Sequence, residues 1–371
     1  MTWSPQQDRA IAEVRAWLAD PYGAQVFRLF GFAGTGKTTL AKALAEDVQG
    51  RVLFATFTGK AALVLRKKGC SGASTIHSLI YKVDVDDTTG EASFDLNPES
   101  DLAGAGLLVV DEVSMVGEAL AKDLLSFGTK ILVLGDPAQL PPVKDEGYFI
   151  NVEPDVMLTE VHRQARDNPI IRMSMDIREG RRLQPGTFGD SCVVRQDAIS
   201  RDALSEYVLK ADQLLCGLNR SRVSYNRRIR ELKGLSGVKQ PWHPITGDRL
   251  ICLRNKREKH LFNGGIWSVE AVEQVDQKLH MTVRSEDEKR DPLSIEVFEH
   301  FFNGTESALH WRDKFGTEEF TFGWAITCHK SQGSQWDDVI VFDESGAFRE
   351  DRAKWLYTAI TRAAERVTVV Q

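Results

Sequence analysis

Residues 31–38 read Gly-Phe-Ala-Gly-Thr-Gly-Lys-Thr and lie between an apolar run at 26–30 and a segment of helical spacing that begins near Thr39. The stretch fits G-x-x-x-x-G-K-[ST], in which glycines let backbone N–H groups turn toward phosphate oxygens at the start of a helix. The agreement of motif, preceding strand and following helix argues against a chance glycine-rich turn. We therefore predict a nucleotide-phosphate site on an α/β fold.

The chemistry of phosphate binding assigns a role to each residue of this loop. Lys37 is predicted to reach the β- and γ-phosphates, and the Thr38 hydroxyl is predicted to ligate Mg²⁺. ATP and Mg²⁺ are therefore the predicted cofactors. The nucleotide-binding residues expected here are Gly34, Thr35, Gly36, Lys37, Thr38 and Thr39.

Two adjacent carboxylates, Asp111 and Glu112, end a second apolar run at 107–110. Asp111 is predicted to hold the metal through water, and Glu112 to polarise an attacking water as general base. Two solvated acids at a strand end would be the ordinary interpretation in isolation, but it loses most of its weight beside the phosphate loop. The pair predicts hydrolysis rather than binding alone.

Short apolar runs recur along the chain, each followed by turn residues and then by helical spacing, which is typical of parallel α/β architecture. Four runs fall early and three late, so we predict two α/β lobes. Alternation of apolar and polar residues at 79–96 predicts a β-hairpin, and alternation at 246–302 predicts a small β-barrel-like insert. The runs are 26–30, 52–57, 107–110, 131–134, 213–218, 339–342 and 367–370.

The composition excludes several classes of protein. With 47 basic and 53 acidic residues the net charge is −6, which argues against coating nucleic acid by bulk charge. No apolar stretch approaches the roughly 20 residues that a bilayer requires, and the N-terminus lacks the pattern of a signal peptide. We expect a cytoplasmic protein with no membrane partner.

Further segments resemble, in order, the motifs of superfamily 1B helicases of the RecD/Dda-like branch. Residues 134–143, Leu-Gly-Asp-Pro-Ala-Gln-Leu-Pro-Pro-Val, resemble motif III. The other matching segments are 4–7 (adenine-reading glutamine motif), 58–62 (motif Ia), 74–77 (the next DNA-contacting segment), 158–163 (motif IV), 327–334 (motif V) and 356–362 (motif VI). The resemblance spans nearly the whole chain.

The resemblance implies two RecA-like parallel-sheet lobes with ATP in the cleft between them and single-stranded DNA across both. The first lobe would span 1–150, with a strand-separating pin insert at 78–104. The second would span 151–240 and 321–371, with an SH3-like insert at 241–320. The branch also implies movement from 5′ to 3′.

The resemblance further implies roles for single residues. Gln7 would contact adenine, Gln139 would sense the γ-phosphate, and Arg163 and Arg362 would be arginine fingers in the second lobe, so hydrolysis would require closure of the lobes. The implied DNA contacts are Thr58, Lys60, His77, His329 and Lys330. Gln335 stands where relatives usually carry a glutamate in motif V, so the contacts of that glutamate are not carried over.

Two basic clusters, at 220–233 and 249–259, are candidate DNA-phosphate edges, with a solvated helix face as an even alternative. Their basic residues are Arg220, Arg222, Arg227, Arg228, Arg230 and Lys233 in the first, and Arg249, Arg254, Lys256, Arg257 and Lys259 in the second.

These patterns predict an ATP-dependent DNA helicase that acts as a monomer on single-stranded and forked DNA, with replication or recombination proteins as candidate partners. An alternative from the same residues is a single-strand translocase, or an ATPase subunit of a recombination or nuclease complex, with little unwinding by itself. RNA as substrate also stays open, because discrimination of the 2′-hydroxyl leaves no readable mark in the sequence.

Overall fold

The computed structural model describes residues 3–85, 92–141, 147–161, 167–236, 241–310, 312–314 and 316–371. The chain forms two compact units. The first comprises Met1–Leu183 and Arg349–Thr361, and the second comprises Gln184–Phe348 and Arg362–Gln371. The described helices are α1 Pro5–Ala19, α2 Lys37–Glu46, α3 Gly59–Lys67, α4 Ile76–Ile80, α5 Glu118–Leu125, α6 Pro169–Arg178, α7 Arg201–Lys210, α8 Asn219–Leu232, α9 His300–Asn303 and α10 Arg352–Ile360.

A six-stranded parallel sheet organises the first unit, in the order β3-β2-β6-β7-β1-β8. The strands of this unit are β1 Val26–Gly31, β2 Val52–Thr56, β3 Ser74–Thr75, β4 Tyr81–Val85, β5 Ala92–Leu96, β6 Leu107–Asp111, β7 Ile131–Gly135 and β8 Val156–Leu158. The predicted parallel α/β fold is confirmed here.

Alternate residues of the central strands pack on opposite faces of this sheet. Val109 and Leu132 join the core shared with α1 and α2, whereas Val110 and Val133 join the core shared with α5. All four side chains are buried. Helices therefore cover both faces, which explains why the central strands β6 and β7 are apolar at nearly every position.

The predicted hairpin is present as a separate two-stranded ribbon. Strands β4 and β5 pair antiparallel, with Tyr81 opposite Leu96 and Lys82 opposite Asp95. The predicted turn at 86–90 lies outside the described residues.

A second six-stranded sheet organises the second unit, in the order β17-β11-β18-β19-β10-β9, and only the β9–β10 pair is antiparallel. A five-stranded antiparallel sheet, β15-β14-β13-β12-β16, has its own apolar core. Strands β12 to β15 lie in the stretch 246–302, for which a small β-barrel-like insert is predicted, and β16 lies beyond it. The strands are β9 Gly186–Phe188, β10 Ser191–Val194, β11 Gln213–Cys216, β12 Arg249–Cys252, β13 Ile266–Val275, β14 Lys278–Ser285, β15 Leu293–Phe298, β16 Phe320–Phe322, β17 Ala325–Thr327, β18 Trp336–Phe342 and β19 Ala363–Val370.

Two segments lie in a different unit from the one predicted. Strand β8 pairs with β1 at the edge of the first sheet, and α6 belongs to the same unit, so the first compact unit continues to Leu183, beyond the predicted lobe boundary at 150/151. Helix α10 also belongs to the first unit. Periodicity shows that a segment has a buried face but does not show which sheet buries it.

Within the described part of the chain, the helices are too short or too polar to cross a bilayer.

Candidate nucleotide and nucleic-acid sites

The phosphate-loop motif folds as predicted into the turn between β1 and α2. Gly34 and Gly36 have φ of 79° and 80°, a left-handed conformation that glycine adopts without a Cβ clash. Gly36 is the N-cap of α2 and supplies no side-chain cap. Among the described residues, none accepts a hydrogen bond from the backbone N–H groups of Gly34, Gly36, Lys37, Thr38 and Thr39. This row of donors at the positive end of a helix suits phosphate oxygens.

Three of the polar side chains predicted for catalysis and metal binding lie at this loop. Lys37 Nζ donates to the carbonyl oxygens of Gly31 at 2.6 Å and Phe32 at 3.1 Å. Thr38 Oγ1 donates to Asp111 Oδ2 at 2.8 Å, and Asp111 Oδ1 accepts from the Glu112 N–H at 2.8 Å. A hydroxyl beside a carboxylate is an oxygen donor set that fits Mg²⁺. The structure therefore brings Lys37, Thr38 and Asp111 together.

Gln7 lies beneath the phosphate loop. Its side chain is 3 % exposed, its Nε2 donates to Thr35 O at 3.0 Å, and its Oε1 accepts from the Ser4 N–H at 3.1 Å. The second contact completes a capping box at the start of α1. Both polar groups of the amide thus bond within the protein, and Gln7 links the first helix to the loop.

Motif III follows β7 and meets α10 at the same loop. The Tyr357 hydroxyl donates to Asp136 Oδ2 at 2.7 Å and accepts from the Ala33 N–H at 2.8 Å. Gln139 Oε1 is buried without a hydrogen-bond partner in the described part of the chain. A buried acceptor left orphaned in motif III is a feature that a bound ligand would satisfy.

Sequence reasoning missed a cation at this loop. Arg178, the last residue of α6, has its guanidinium carbon 3.4 Å from the centroid of the Phe32 ring. Its Nη1 is buried and has no partner among the residues described. The segment carries no motif signal, because an arginine at a helix end is ordinary; only the packing of α6 reveals it.

Of the two predicted arginine fingers, the structure describes Arg362 but not Arg163. Arg163 lies outside the described residues; Val161 and Asp167, on either side, belong to the first unit rather than to the second as predicted. Arg362 is 5 % exposed and belongs to the second unit, where its Nη1 donates to Ser334 O in motif V at 3.3 Å.

The DNA-contact candidates of the first unit occupy different environments. Thr58 is the N-cap of α3 and accepts from the Ala61 N–H at 3.2 Å. Lys60 is only 6 % exposed, which argues against a contact with DNA. His77 lies in an aromatic cluster, with ring centroids 5.7 Å from Phe57 and 6.5 Å from Phe94 on the hairpin. Phe94 is 57 % exposed.

In the second unit, the turn that follows β17 carries His329 and Lys330. His329 packs against Phe348 at 5.6 Å, and Lys330 Nζ donates to Asn263 Oδ1 at 3.0 Å. Arg222 on α8 is close enough for its charge to repel that of Lys330, and burial lowers the pKa of Arg222. Lys330, whose bond to Asn263 leaves its charge uncompensated by that partner, and the nearby Arg222 form a local positive site that suits a phosphate.

The first basic cluster, at 220–233, includes an arginine that is structural. Arg230 is 1 % exposed and forms a two-point ion pair with Asp248, from Nε at 2.8 Å and Nη2 at 2.9 Å. Nη2 also donates to His243 O at 2.6 Å, so the pair joins α8 to the loop before β12. Arg230 is therefore not a phosphate-contacting residue, because its charge is neutralised in the core.

The second basic cluster, at 249–259, is also largely neutralised within the protein. Lys256 and Lys259 bind the buried Glu318 at 2.6 Å and 2.7 Å, and Arg249 binds Glu286 at 2.8 Å. Although burial opposes it, these two lysines lower the pKa of Glu318. The cluster supports the β-rich insert rather than a DNA edge.

A carboxylate from a distant segment occupies the N-terminus of α8. Glu344 Oε2 accepts from the N–H groups of Gly217 at 2.6 Å and Leu218 at 3.0 Å, and Oε1 accepts from the Ser221 hydroxyl. Leu218, the N-cap residue, has no side-chain cap of its own. Glu344 was not predicted, because it is more than 120 residues away in the chain.

Two sequence families match the chain. The family described as the AAA domain matches residues 2–190, just over half of the 371 residues. The family described as the UvrD-like helicase C-terminal domain matches residues 322–370.

Among curated proteins, the ATP-dependent RecD2 DNA helicase of Deinococcus radiodurans is 29 % identical over 384 residues, covering 96 % of this chain and 48 % of that protein. The ATP-dependent DNA helicase dda of Enterobacteria phage T4 is 34 % identical over 164 residues, covering 41 % of this chain and 37 % of that protein. The matched part of the chain thus spans about half the length of the first relative and less than half the length of the second.

Among solved structures, Pif1 of Bacteroides bound to single-stranded DNA superposes with a TM-score of 0.55 at 18 % identity, covering 99 % of this chain and 92 % of that chain. At this identity the likeness establishes the fold.

Proposed function

Because the chain belongs to the AAA-domain family, among the superfamily 1B helicases of RecD and Pif1 type, we propose that it is an ATP-driven DNA helicase. It would translocate from 5′ to 3′ on single-stranded DNA and unwind duplex DNA. The observation that carries the proposal is the loop at 31–38. There, backbone donors with no acceptor in the described part of the chain meet Lys37 and the Thr38–Asp111 pair.

These residues can perform phosphoryl transfer to water. Lys37 and the loop N–H groups would hold the phosphates, while Thr38 and Asp111 would hold Mg²⁺, which when bound neutralises charge on the phosphate oxygens. Glu112, beside Asp111 at the end of β6, would accept the proton of the attacking water. Gln139 would use its orphaned Oε1 to position that water or the nucleotide.

Arg163 and Arg362 would supply positive charge as it develops on the γ-phosphate, a contribution of about 10³ to 10⁵ in rate for such an arginine. Arg362 belongs to the second unit and Lys37 to the first. Hydrolysis would therefore depend on residues of both units, and we propose that each turnover is coupled to a movement along the strand.

The proposed DNA path uses residues from both units. Thr58 and His77 in the first, and His329 and Lys330 in the second, would contact one strand, with Arg222 adding a phosphate contact beside Lys330. We assign no contact to the buried Lys60. The β4–β5 hairpin would act as the pin and the five-stranded sheet as the SH3-like insert. Opening one base-pair step costs about 1.4 kcal/mol in stacking, a modest load for one hydrolysis cycle.

Strand separation on two partial duplexes tests this proposal, one with a 5′ single-stranded tail and one with a 3′ tail, with ATP hydrolysis measured in parallel. Opening of only the 5′-tailed substrate is expected of the purified monomer. Opening of only the 3′-tailed substrate would overturn the polarity. DNA-stimulated hydrolysis without opening would favour the single-strand translocase or the partner-dependent subunit.

A hairpin variant separates translocation from unwinding. Replacing residues 81–96 by a short loop removes β4 and β5 but leaves the phosphate loop unchanged. DNA-stimulated hydrolysis should persist while strand separation is lost. Equal loss of both activities would show that the ribbon supports the fold rather than splitting the duplex.

A further inference from the structure

The hydroxyl of Tyr357 joins two segments of the nucleotide site that are far apart in sequence. It accepts from the backbone N–H of Ala33 in the phosphate loop and donates to Asp136 at the start of motif III. Tyr357 is 1 % exposed and Asp136 is 3 % exposed. Because buried polar groups are costly to leave unpaired, both bonds constrain the loop and motif III to one arrangement.

The next residue, Thr358, forms a second hydrogen bond between α10 and motif III. Thr358 Oγ1 accepts from the N–H of Leu140 at 2.8 Å, one residue after Gln139. Consecutive side chains of α10 thus bind the phosphate loop and two positions of motif III, Asp136 and Leu140. Four residues beyond Thr358 the chain reaches Arg362, which belongs to the other unit.

The position of Ala33 makes this link relevant to nucleotide chemistry. Ala33 immediately precedes Gly34, where the row of unpartnered backbone donors begins. A displacement of the loop by phosphate would therefore act directly on the Ala33–Tyr357 bond. Through α10, the same displacement would act on the segment that ends at Arg362.

We propose that Tyr357 is a positioning residue for ATP hydrolysis, whose hydroxyl couples the phosphate loop at Ala33 and motif III at Asp136 to the helix that leads into Arg362. The inference rests on the proposed ATPase activity and assigns to Tyr357 a role that the motif resemblance did not supply. Tyr357 touches neither the phosphates nor the attacking water in this scheme; it acts through the loop.

Titration of the hydroxyl does not enter this role. Burial, together with the charge of Asp136, raises the pKa of Tyr357 well above its ordinary value. The hydroxyl thus stays protonated throughout the pH range of an ATPase assay.

Tyr357→Phe tests the proposal by removing only the hydroxyl. We expect kcat for ATP hydrolysis to fall by about 10- to 100-fold, because small misplacements of reacting groups are costly. KM for ATP should stay within about threefold, because Lys37 and the N–H groups of Gly34 and of 36–39 remain. Tyr148→Phe is the matched control, since its half-buried ring lies in the same unit and its hydroxyl has no hydrogen bond within the described residues.

A second variant separates positioning from simple stability. Tyr357→Phe leaves the Asp136 carboxylate without this donor, and adding Asp136→Asn removes the resulting buried charge. The double variant should recover thermal stability but not kcat, because the Ala33 bond is still missing. Recovery of kcat together with stability would overturn the proposal, as would an unchanged kcat in Tyr357→Phe.

The outcome is distinguishable from a failure of the helicase proposal. DNA-independent ATP hydrolysis reports on Tyr357, whereas strand separation reports on the helicase. A wild-type chain that hydrolyses ATP but opens no duplex would refute the helicase and leave the Tyr357 test intact. A wild-type chain that hydrolyses no ATP would refute both.

Discussion

Two strand–turn–helix connections of this molecule, which we call corners, each join a buried parallel strand to a helix. They differ in whether the backbone N–H groups at the helix N-terminus have an acceptor within the protein. Between β1 and α2 a glycine-containing loop leaves a row of backbone N–H groups that no described residue accepts from. Between β11 and α8 the turn is only Gly217 and Leu218, and Glu344 accepts from both of their N–H groups.

The difference shows that a strand–turn–helix corner is not by itself a nucleotide site. Both helices present the positive end of a helix dipole. In the second unit a carboxylate of the chain neutralises it, whereas in the first the charge is left for an external anion and Lys37 adds to it. A ligand site is therefore defined here by which donors the protein leaves unpaired.

The largest effect is expected at the first corner. Lys37→Ala removes the cation beside the phosphates, and turnover of ATP should fall by about 10³-fold or more, because charge at the transferred phosphoryl group dominates this chemistry. The folded state should be unchanged, as judged by circular dichroism and thermal denaturation. Lys42→Ala, on the same helix α2, is the control and should hydrolyse ATP at nearly the wild-type rate. Normal turnover in Lys37→Ala would remove the distinction between the two corners.

The second prediction concerns how the two helices are held. Residues Leu40, Ala41 and Leu44 anchor α2 by apolar packing, whereas α8 is also fixed by the buried Arg230–Asp248 pair. Asp248→Asn leaves a buried guanidinium uncompensated, so the free energy of unfolding should fall by about 3–5 kcal/mol.

Urea denaturation measures this loss for Asp248→Asn. The control is Arg227→Ala on the exposed face of α8, where the ion pair with Glu231 should contribute less than about 1 kcal/mol. Similar losses in the two variants would mean that the buried pair does not fix the helix.

The third prediction opens the second corner. Glu344→Ala removes the acceptor of two backbone N–H groups and of the Ser221 hydroxyl, so the free energy of unfolding should fall by about 1–3 kcal/mol. Sulfate should then restore stability in Glu344→Ala more than it stabilises the wild type, because the helix N-terminus becomes available to an anion. Glu344→Gln keeps one acceptor oxygen, so its free energy of unfolding should lie between those of the wild type and Glu344→Ala. Wild-type stability in Glu344→Gln would show that the carboxylate charge is irrelevant.

The smallest effect is expected at Gln7, which supports the first corner from below. Gln7→Ala removes the bonds to Thr35 O and Ser4 N, and the affinity for nucleotide should fall by about 3- to 10-fold, equivalent to one modest hydrogen bond. If Gln7 acts through the loop, ATP and GTP should weaken equally, as measured by competition with a fluorescent nucleotide. Selective weakening of ATP would instead assign Gln7 to the adenine.

Local sequence patterns predicted the phosphate loop, the carboxylates beside it and the strands, because each of these features depends on residues that are close together in the chain. The spacing of glycines and lysine at 31–38, the apolar run before Asp111 and the alternation at 79–96 all correspond to structure of the expected type. Local backbone geometry depends on adjacent side chains, so such signals survive without knowledge of the tertiary fold.

Charge patterns were a weaker guide, because a cluster in sequence does not reveal which members are buried. Arg230 and Arg222 lie on the same helix and were indistinguishable by composition. The first is in a core ion pair, while the second stands near Lys330. Lys60 lies in a matching motif but is buried.

The sequence by itself determined the fold class, the nucleotide loop and the helicase family, because motifs and periodicity are local properties of the chain. Tertiary structure alone decided that β8, α6 and α10 complete the first unit, that Glu344 closes the N-terminus of α8, and that Tyr357 joins the phosphate loop to motif III. These contacts connect residues more than 100 positions apart. Their energy depends on burial and hydrogen-bond geometry, which exist only once the chain has folded.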